Sequence, residues 1–364
     1  MPIPGYKLAQ MPNLIADTLQ DIQRDKFIGT QGEQNYEPAT TFINAAKGGA
    51  NGIGWRKNIY LTPNTGATYD YDFHSDTAPQ KGPPTKVLQT HWAKTENAGL
   101  VFDTEEIRQN KDDVSQIVDV VVEGRESNNE DIAKKFLTSF SGVGLKNSGD
   151  AGSWIGLRYF ARRSQSSGAF VANTDGGFVG QEFTYLEGGN STTFFGQDAS
   201  LVENERLRNF AITHNGTMNV TTAQQVLLMM RRLNVSPFKN RKGELVSTGH
   251  NLFMSQTFND EYIYMVNDGP DDRNGDMFPF VVGKLGGIDI KEVPVWNSET
   301  DQPIIVVKGN GLQIKKFDGS WFTEGKMTMM ANSDRKYFVA TRWAGQLLAE
   351  KATRECVAIC HGSF

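Results

Sequence analysis

An α+β fold, rich in short strands and built around one long helix, is what the sequence predicts, on three observations. Thirty-seven of 364 residues are glycine, which favours many turns and strand ends over a helical bundle. Short apolar runs (LFMS, PIIVVKG, ECVAIC) have strand length. Against them stands one segment, 113–140, whose apolar residues recur at helical spacing over about seven turns.

From the N-terminus, 13–26 (NLIADTLQDIQRDK) places Leu14, Ile15, Leu19 and Ile22 on one helical stripe, with Asn13 as N-cap after Pro12. The text that follows to residue 54 is polar and Gly-rich and has little to bury. Two extended segments come next, WRKNIYLT from Trp55 and TKVLQTHWAKTENAGLVFDTEEIRQ from Thr85. The polar, Pro- and Gly-containing stretch between them marks the tip of a long hairpin arm. A strand pair of that length has no second layer of its own, so a surface on another chain is implied.

The helix 113–140 carries Val114, Ile117, Val118, Val121, Ile132, Phe136 and Phe140, with Asp113 and Gln116 as a variant capping box and Gly142 as its stop. Its middle, EGRESNNED, is polar on every side and suits a surface or a gap between chains. After the Gly-rich stretch SGVGLKNSGDAGS come strand-like WIGLRYFARR, GAFVANT and QEFTYL. A helix over Thr222–Leu233 presents Val226, Leu227, Met230 and Leu233. A strand over Leu252–Ser255 and a helix over Gln256–Val266 follow, then a charged loop, then strand text in FPFVVGKLGG, IDIKEVPVW and PIIVVKG. The last segment reads as a strand KYFVATRW, a short step LLAEKA and a terminal strand ECVAIC.

Composition narrows the function. The net charge of −5 lacks the basic excess of a protein that grips phosphates. No run reaches the 18 or so apolar residues of a membrane span, and the first residues lack the basic and apolar regions of a secretion signal, which places the chain in the cytosol with no membrane partner. Cys356 and Cys360 are expected to be free thiols, since strand residues four apart lie about 13 Å from each other.

The sequence carries none of the common catalytic and ligand patterns. The five histidines (His74, His91, His214, His250, His361) show no HExxH spacing, and Cys356, Cys360 and His361 lack the convergent fourth ligand of a zinc site. The glycine clusters GGANGIG, GVGLKNSG and GNG match neither GxxxxGK[ST] nor GxGxxG and read as turns. The acidic loop Asp268–Asp276 has Pro270 where a calcium loop needs its first Asp. No GxSxG occurs. The pairs Arg162, Arg163 and Arg231, Arg232 suit a solvated or inter-subunit role better than a DNA-facing one. No catalytic, cofactor-binding or metal-ligating residue is therefore assigned, no cofactor is expected, and the chain is not expected to be an enzyme.

The order of parts, from N-terminal arm through long hairpin, long helix closing in SGVGLKNSGDAG and mixed α/β unit with GGIDIKEVPV, to the closing NSDRKYFVATRW and ECVAICHGSF, resembles the major capsid protein of tailed bacteriophages, the fold shared with herpesviruses. The resemblance covers nearly the whole chain. It implies an N-terminal arm at 1–54, a β-hairpin E-loop at 55–104, a peripheral domain with the spine helix at 105–148 and 312–350, and an axial domain at 149–311 and 351–364.

The same resemblance implies a structural, self-assembling subunit of hexamers and pentamers in an icosahedral shell around double-stranded DNA, assembled in the host cytoplasm and residing in the virion capsid. Its partners would be copies of itself, a portal, a decoration protein and, through weak non-specific contact, the packaged DNA. Relatives with a Lys to Asn isopeptide weld carry Asn where this chain has Thr341, so no cross-link is expected, although Lys81 and Lys86 lie in the arm. Nothing like the charged, helical, cleaved scaffolding segment of some relatives precedes Asn13, which points to a separate scaffolding protein. The alternatives are an encapsulin-like compartment shell, another virion part such as a tail tube or decoration protein, and an enzyme with an unrecognised site.

Overall fold

The computed structural model of the chain describes residues 39–52, 54–59, 86–103, 139–142, 154–163, 176–177, 193–199, 201–233, 250–267, 280–309, 311–321, 323–324, 328–329 and 336–362. The helix expected at 13–26, the hairpin tip, strand text at 168–174 and 181–186, the charged loop at 268–276, and all but the end of the helix at 113–140 lie outside them. That end is helical at 139–141 and bends at Gly142, as the glycine stop requires.

Among the described residues one eight-stranded sheet dominates. Its order is β4 (Gly176–Gly177), β7 (Asn209–Thr213), β17 (Val357–His361), β12 (Ile304–Val307), β8 (Asn251–Met254), β11 (Ile288–Glu292), β10 (Lys284–Leu285) and β9 (Phe280–Val281). The terminal strand β17 lies inside it, parallel to β7 and antiparallel to β12. Side chains alternate across a strand, and here the alternation sorts them into two cores. Val357, Ile359, Ile305, Val307 and Phe253 enter one; Ala358, Cys360, Ile304, Val306, Leu252 and Met254 enter the other. Burial on both faces explains why these strands read as unbroken apolar runs.

The second core is roofed by α3 (Val220–Arg232) and α4 (Gln256–Asn267). Asn219 caps α3 by accepting from the Thr222 N–H at 2.9 Å, as its short polar side chain favours. The stripe expected from sequence is the packed one: Val226, Met230 and Leu233 are buried, and Leu227 is half-buried.

The first core is closed by a five-stranded sheet. In it β16 (Lys336–Ala349) pairs with β3 (Ala93–Asp103) on one side and with β13 (Leu312–Lys316), β14 (Thr323–Glu324) and β15 (Thr328–Met329) on the other. Short α1 (Ala39–Asn44) sends Phe42 into the same core, 5.4 Å from the Phe140 ring.

Four sequence expectations are corrected. The paired hairpin runs from β1 (Gly54–Ile59) to β2 (Lys86–His91); past Trp92 the chain enters β3 and pairs with β16, because a partner strand with its own core outcompetes a solvent-facing one. WIGLRYFARR forms a single helical turn, α2 (Leu157–Phe160), all four residues of which are buried. The turn starts against the upstream helix end: the Arg158 N–H donates to the Gly142 carbonyl at 3.0 Å, and a Cβ on Gly156 would lie 2.0 Å from that same oxygen. IDIKEVPVW leaves strand geometry after Glu292 for a 3₁₀ turn at Pro294–Ser298, since Pro294 has no N–H for a ladder. LLAEKA is no step at Leu347: β16 continues to Ala349, paired with β13. The chain then bends, and α5 (Thr353–Cys356) precedes β17, so Cys356 sits in a helical turn rather than on the strand.

The central strands should therefore respond far more than the sheet edges. Ile305→Ala, at a fully buried position, is expected to cost about 2–5 kcal/mol by urea denaturation. Val101→Ser, at a position 48 % exposed, is expected to stay within about 0.5 kcal/mol.

Candidate assembly site

The hairpin is anchored at its foot. β1 shows an alternating burial pattern in which Trp55, Lys57 and Ile59 face inward while Gly54, Arg56 and Asn58 are exposed. Opposite Lys57 in the register, Leu88 is 1 % exposed and belongs to the first core, against which Trp55 and Ile59 pack. The expectation that the hairpin's support comes from other chains is thus corrected for its foot. Leu88, an apolar residue on the inward face, gives the pair a core of its own chain to join.

What the foot rests on is a tight turn between β5 (Thr193–Phe194) and β6 (Gln197–Asp198). Phe195 occupies this turn at φ 47°, in the left-handed region that non-glycine residues rarely adopt. Its ring lies 5.7 Å from Trp55, 5.2 Å from Tyr159 and 4.6 Å from Phe194. Its N–H donates to the Tyr159 hydroxyl at 3.0 Å, and Gln197 Nε2 donates to the Val87 carbonyl at 3.1 Å. The sequence signal for this turn is TFFGQ, with glycine second in a two-residue loop.

Beside the foot lies the seam between the two sheets. The chain crosses it at Gly311 between β12 and β13 and at Glu350 after β16, and the Glu350 N–H donates to the Gly311 carbonyl at 2.9 Å. A Cβ on Gly311 would lie 2.2 Å from Cβ of Cys356, so this crossing admits no larger residue without movement. Lys57 reaches from the foot to the Glu350 carbonyl at 2.5 Å and its carboxylate at 2.9 Å, and Lys315 adds a contact at 3.3 Å. Partial burial alone would raise the Glu350 carboxyl; the two ammonium groups outweigh it and hold the group below its ordinary value.

Asp301 is fully buried and receives Arg158 Nη2 at 2.6 Å and Arg163 Nε at 2.8 Å, while Arg158 Nη1 also reaches Glu299 at 3.0 Å. Desolvation would raise the Asp301 carboxyl, but both guanidiniums offset it and keep the group below its ordinary value. Arg162 is buried too, its guanidinium 5.0 Å from the Tyr159 ring centre and its backbone paired with Asn209. The solvated or inter-subunit reading of Arg162 and Arg163 is therefore corrected: intrachain carboxylates and rings draw both inward. Arg231 and Arg232 stand exposed in the last turn of α3.

Burial also shifts histidine and cysteine groups. His214 accepts from the Gly216 N–H at Nδ1, which leaves Nε2 to donate to the Gln302 carbonyl at 3.1 Å. Desolvation of this neutral ring lowers its pKa, and desolvation pushes His361 down to about 4. Burial pushes the Cys356 thiol up to about 12, so it stays protonated; Cys360 is equally buried and free. No group of three or more His, Cys, Asp or Glu side chains able to hold a metal occurs among the described residues. Cys356, Cys360 and His361 lie in and beside the core strand β17, and His250 accepts from the Gly309 N–H at 3.0 Å. Large apolar side chains are exposed at Tyr264 (69 %) and Met329 (55 %).

No family model and no curated protein matches the sequence. Solved structures do. A chain of the cyanophage A-1(L) capsid asymmetric unit superposes with a TM-score of 0.54 at 11% identity, covering 89% of this chain and 92% of that one. A chain of the capsid of Myoviridae phage XM1 does so with a TM-score of 0.50 at 10% identity, over 89% and 92%. The chain has the capsid fold. The α+β architecture expected from the sequence is this one.

Stability should fall on mild acidification. An unfolded histidine protonates near its ordinary value of 6.5 while buried His214 and His361 resist, so the unfolded state gains protons as pH drops from 6.5 toward 4. Asp301 and Glu350, ordinarily near 3.8 and 4.5, add their loss only below those values. A melting temperature several degrees lower at pH 5 than at pH 7 is expected, with part of the slope removed in His361→Gln. A flat profile over that interval would contradict the burial of both rings.

Proposed function

We propose that the chain is the major capsid protein of a tailed bacteriophage, a shell subunit that self-assembles into pentamers and hexamers closing an icosahedral container around double-stranded DNA. The capsid fold over 89% of the chain carries this reading, and the geometry agrees with it. An isolated two-stranded hairpin is at best marginally stable in water; this one has a docked foot and an exposed outer row at Gly54, Arg56 and Asn58, which suits contact with a second copy. Buried polar groups serve structure: Asp301, Arg158 and Arg163 neutralise one another. The protein is then a structural component and not an enzyme.

The two sheets support a division into an axial domain (149–311 and 351–364) and a peripheral domain (105–148 and 312–350). The eight-stranded sheet draws its strands from the first pair of segments. β13 to β16 come from 312–350, with β3 added from the hairpin segment 55–104. By the same reading 1–54 is an arm, and the partners are further copies, a portal, a separate scaffolding protein, a decoration protein and weakly held DNA. The subunit would be assembled in the host cytoplasm and end in the virion. A shell subunit meets several neighbours, and standard interfaces bury about 1,200–2,000 Å² each.

Expression alone and with the neighbouring open reading frames, followed by sedimentation and negative-stain electron microscopy, tests this. Closed shells, or sheets of hexamers, are expected. DNA-free shells loaded with a host enzyme would favour the encapsulin-like reading, and a discrete oligomer below about a dozen subunits under every condition would overturn both.

A further inference from the structure

We propose that Asn51–Gly52 is a site of spontaneous covalent modification, where the asparagine loses ammonia through a succinimide and becomes isoaspartate, with the Trp92 indole promoting both steps. Four Asn–Gly pairs occur, at Asn51, Asn215, Asn274 and Asn310. Glycine has no side chain to shield its N–H, so the sequence alone ranks them together. The structure separates them. Asn51 and Gly52 are both exposed, and neither the Asn51 carboxamide nor the Gly52 N–H has a partner among the described residues. Asn215 and Gly216 are exposed as well, but the Gly216 N–H donates to His214 Nδ1 at 3.0 Å and the Asn215 side-chain oxygen accepts from Asn219 at 3.4 Å. The Gly311 N–H, which follows Asn310, donates to the Lys308 carbonyl at 2.9 Å. Asn274 lies outside the described residues.

Trp92 adds a second feature. Its Nε1–H donates to the Asn51 carbonyl at 3.1 Å, and its ring is set edge-on to Phe317 at 5.4 Å. That carbonyl belongs to the peptide bond whose nitrogen must attack. When a solvent base removes the Gly52 N–H proton, charge spreads onto the Asn51 carbonyl oxygen, where a hydrogen bond from a fixed donor stabilises it. The Gly52 nitrogen then bonds to Asn51 Cγ, the Cγ–Nδ2 bond breaks, and Nδ2 leaves as ammonia after taking a proton from water. Water opens the ring at the carbonyl that Trp92 polarises, which breaks the bond between the Gly52 nitrogen and the Asn51 α-carbonyl carbon. The chain now runs through the Asn51 side chain, and the freed α-carboxylate stays paired with the indole. One water is consumed and one ammonia released, with no oxidation. Asn51 is where the chain leaves the edge of β13, to which Lys47 and Ala50 are hydrogen-bonded, and heads for β1. The product lengthens that joint by one backbone carbon and gives it a negative charge, neither of which rests on the shell reading.

Peptide mapping of the full chain by mass spectrometry, after incubation in warm, mildly alkaline buffer, tests the proposal. Isoaspartate is counted by enzymatic methylation of its free carboxylate, and a parallel sample is held unfolded in guanidinium chloride. Asn51 is expected to convert at least as fast in the folded chain as in the unfolded one. Asn215 should be slowed about tenfold or more by folding, since it reacts only through local opening. Trp92→Phe, which keeps a ring against Phe317, is expected to slow Asn51 about threefold or more and to lower its isoaspartate-to-aspartate ratio to that of the unfolded chain. Slower conversion of Asn51 when folded than when unfolded, or equal rates at Asn51 and Asn215 in the folded chain, would overturn the proposal. An unchanged rate and ratio in Trp92→Phe would overturn the indole's part in it. Should that variant not fold, the parent's ratio decides the same point: it must be higher folded than unfolded.

Discussion

Burial of both faces of the eight-stranded sheet is the constraint from which the other features follow. Because β17 is its inner strand, the end of the chain must return through the middle of a core laid down by residues far upstream. Side-chain alternation along β17, β12 and β8 then fills two cores at once. Helices can roof one face with apolar stripes, as α3 and α4 do. The opposite face needs a second layer, and the five-stranded sheet on β16 supplies it. The chain therefore has to cross between sheets, and does so at Gly311 and Glu350.

Those crossings explain why charge gathers where it does. A carboxylate at a partly buried crossing needs cations, and Lys57 and Lys315 provide them. Asp301, fully enclosed, needs more, and takes two arginines. Breaking such a pair on one side leaves an uncompensated buried charge, which costs far more than a surface pair contributes. The hairpin is tied to the body through one of these groups, so its position depends on the seam.

Legibility in the sequence followed the strength of local patterning. The strands at 252, 304 and 357 were readable as short unbroken apolar runs, and the helices at 222 and 256 because burial imposes a period of 3.6 on their apolar residues. WIGLRYFARR was not, because Arg158 is drawn inward by Asp301 and Arg162 lies over the Tyr159 and Phe194 rings, contacts that leave no local signature. The continuation of β16 past Trp343 was hidden for a related reason: Leu347 and Leu348 are both buried, which erases the alternation that marks a strand. The role of Phe195 rests on a backbone angle that composition does not reveal, and Glu350 looks in sequence like any surface glutamate. The capsid fold itself was visible as an order of parts, although no family model matches the sequence.

A cryo-electron microscopy reconstruction of particles assembled from this chain tests the account most directly, because it shows what lies against the exposed row of β1. The account predicts Gly54, Arg56 and Asn58 covered by a second copy, with the eight-stranded sheet gathered around the axes of five- and six-membered rings. A particle in which that row faces solvent in every copy would contradict it.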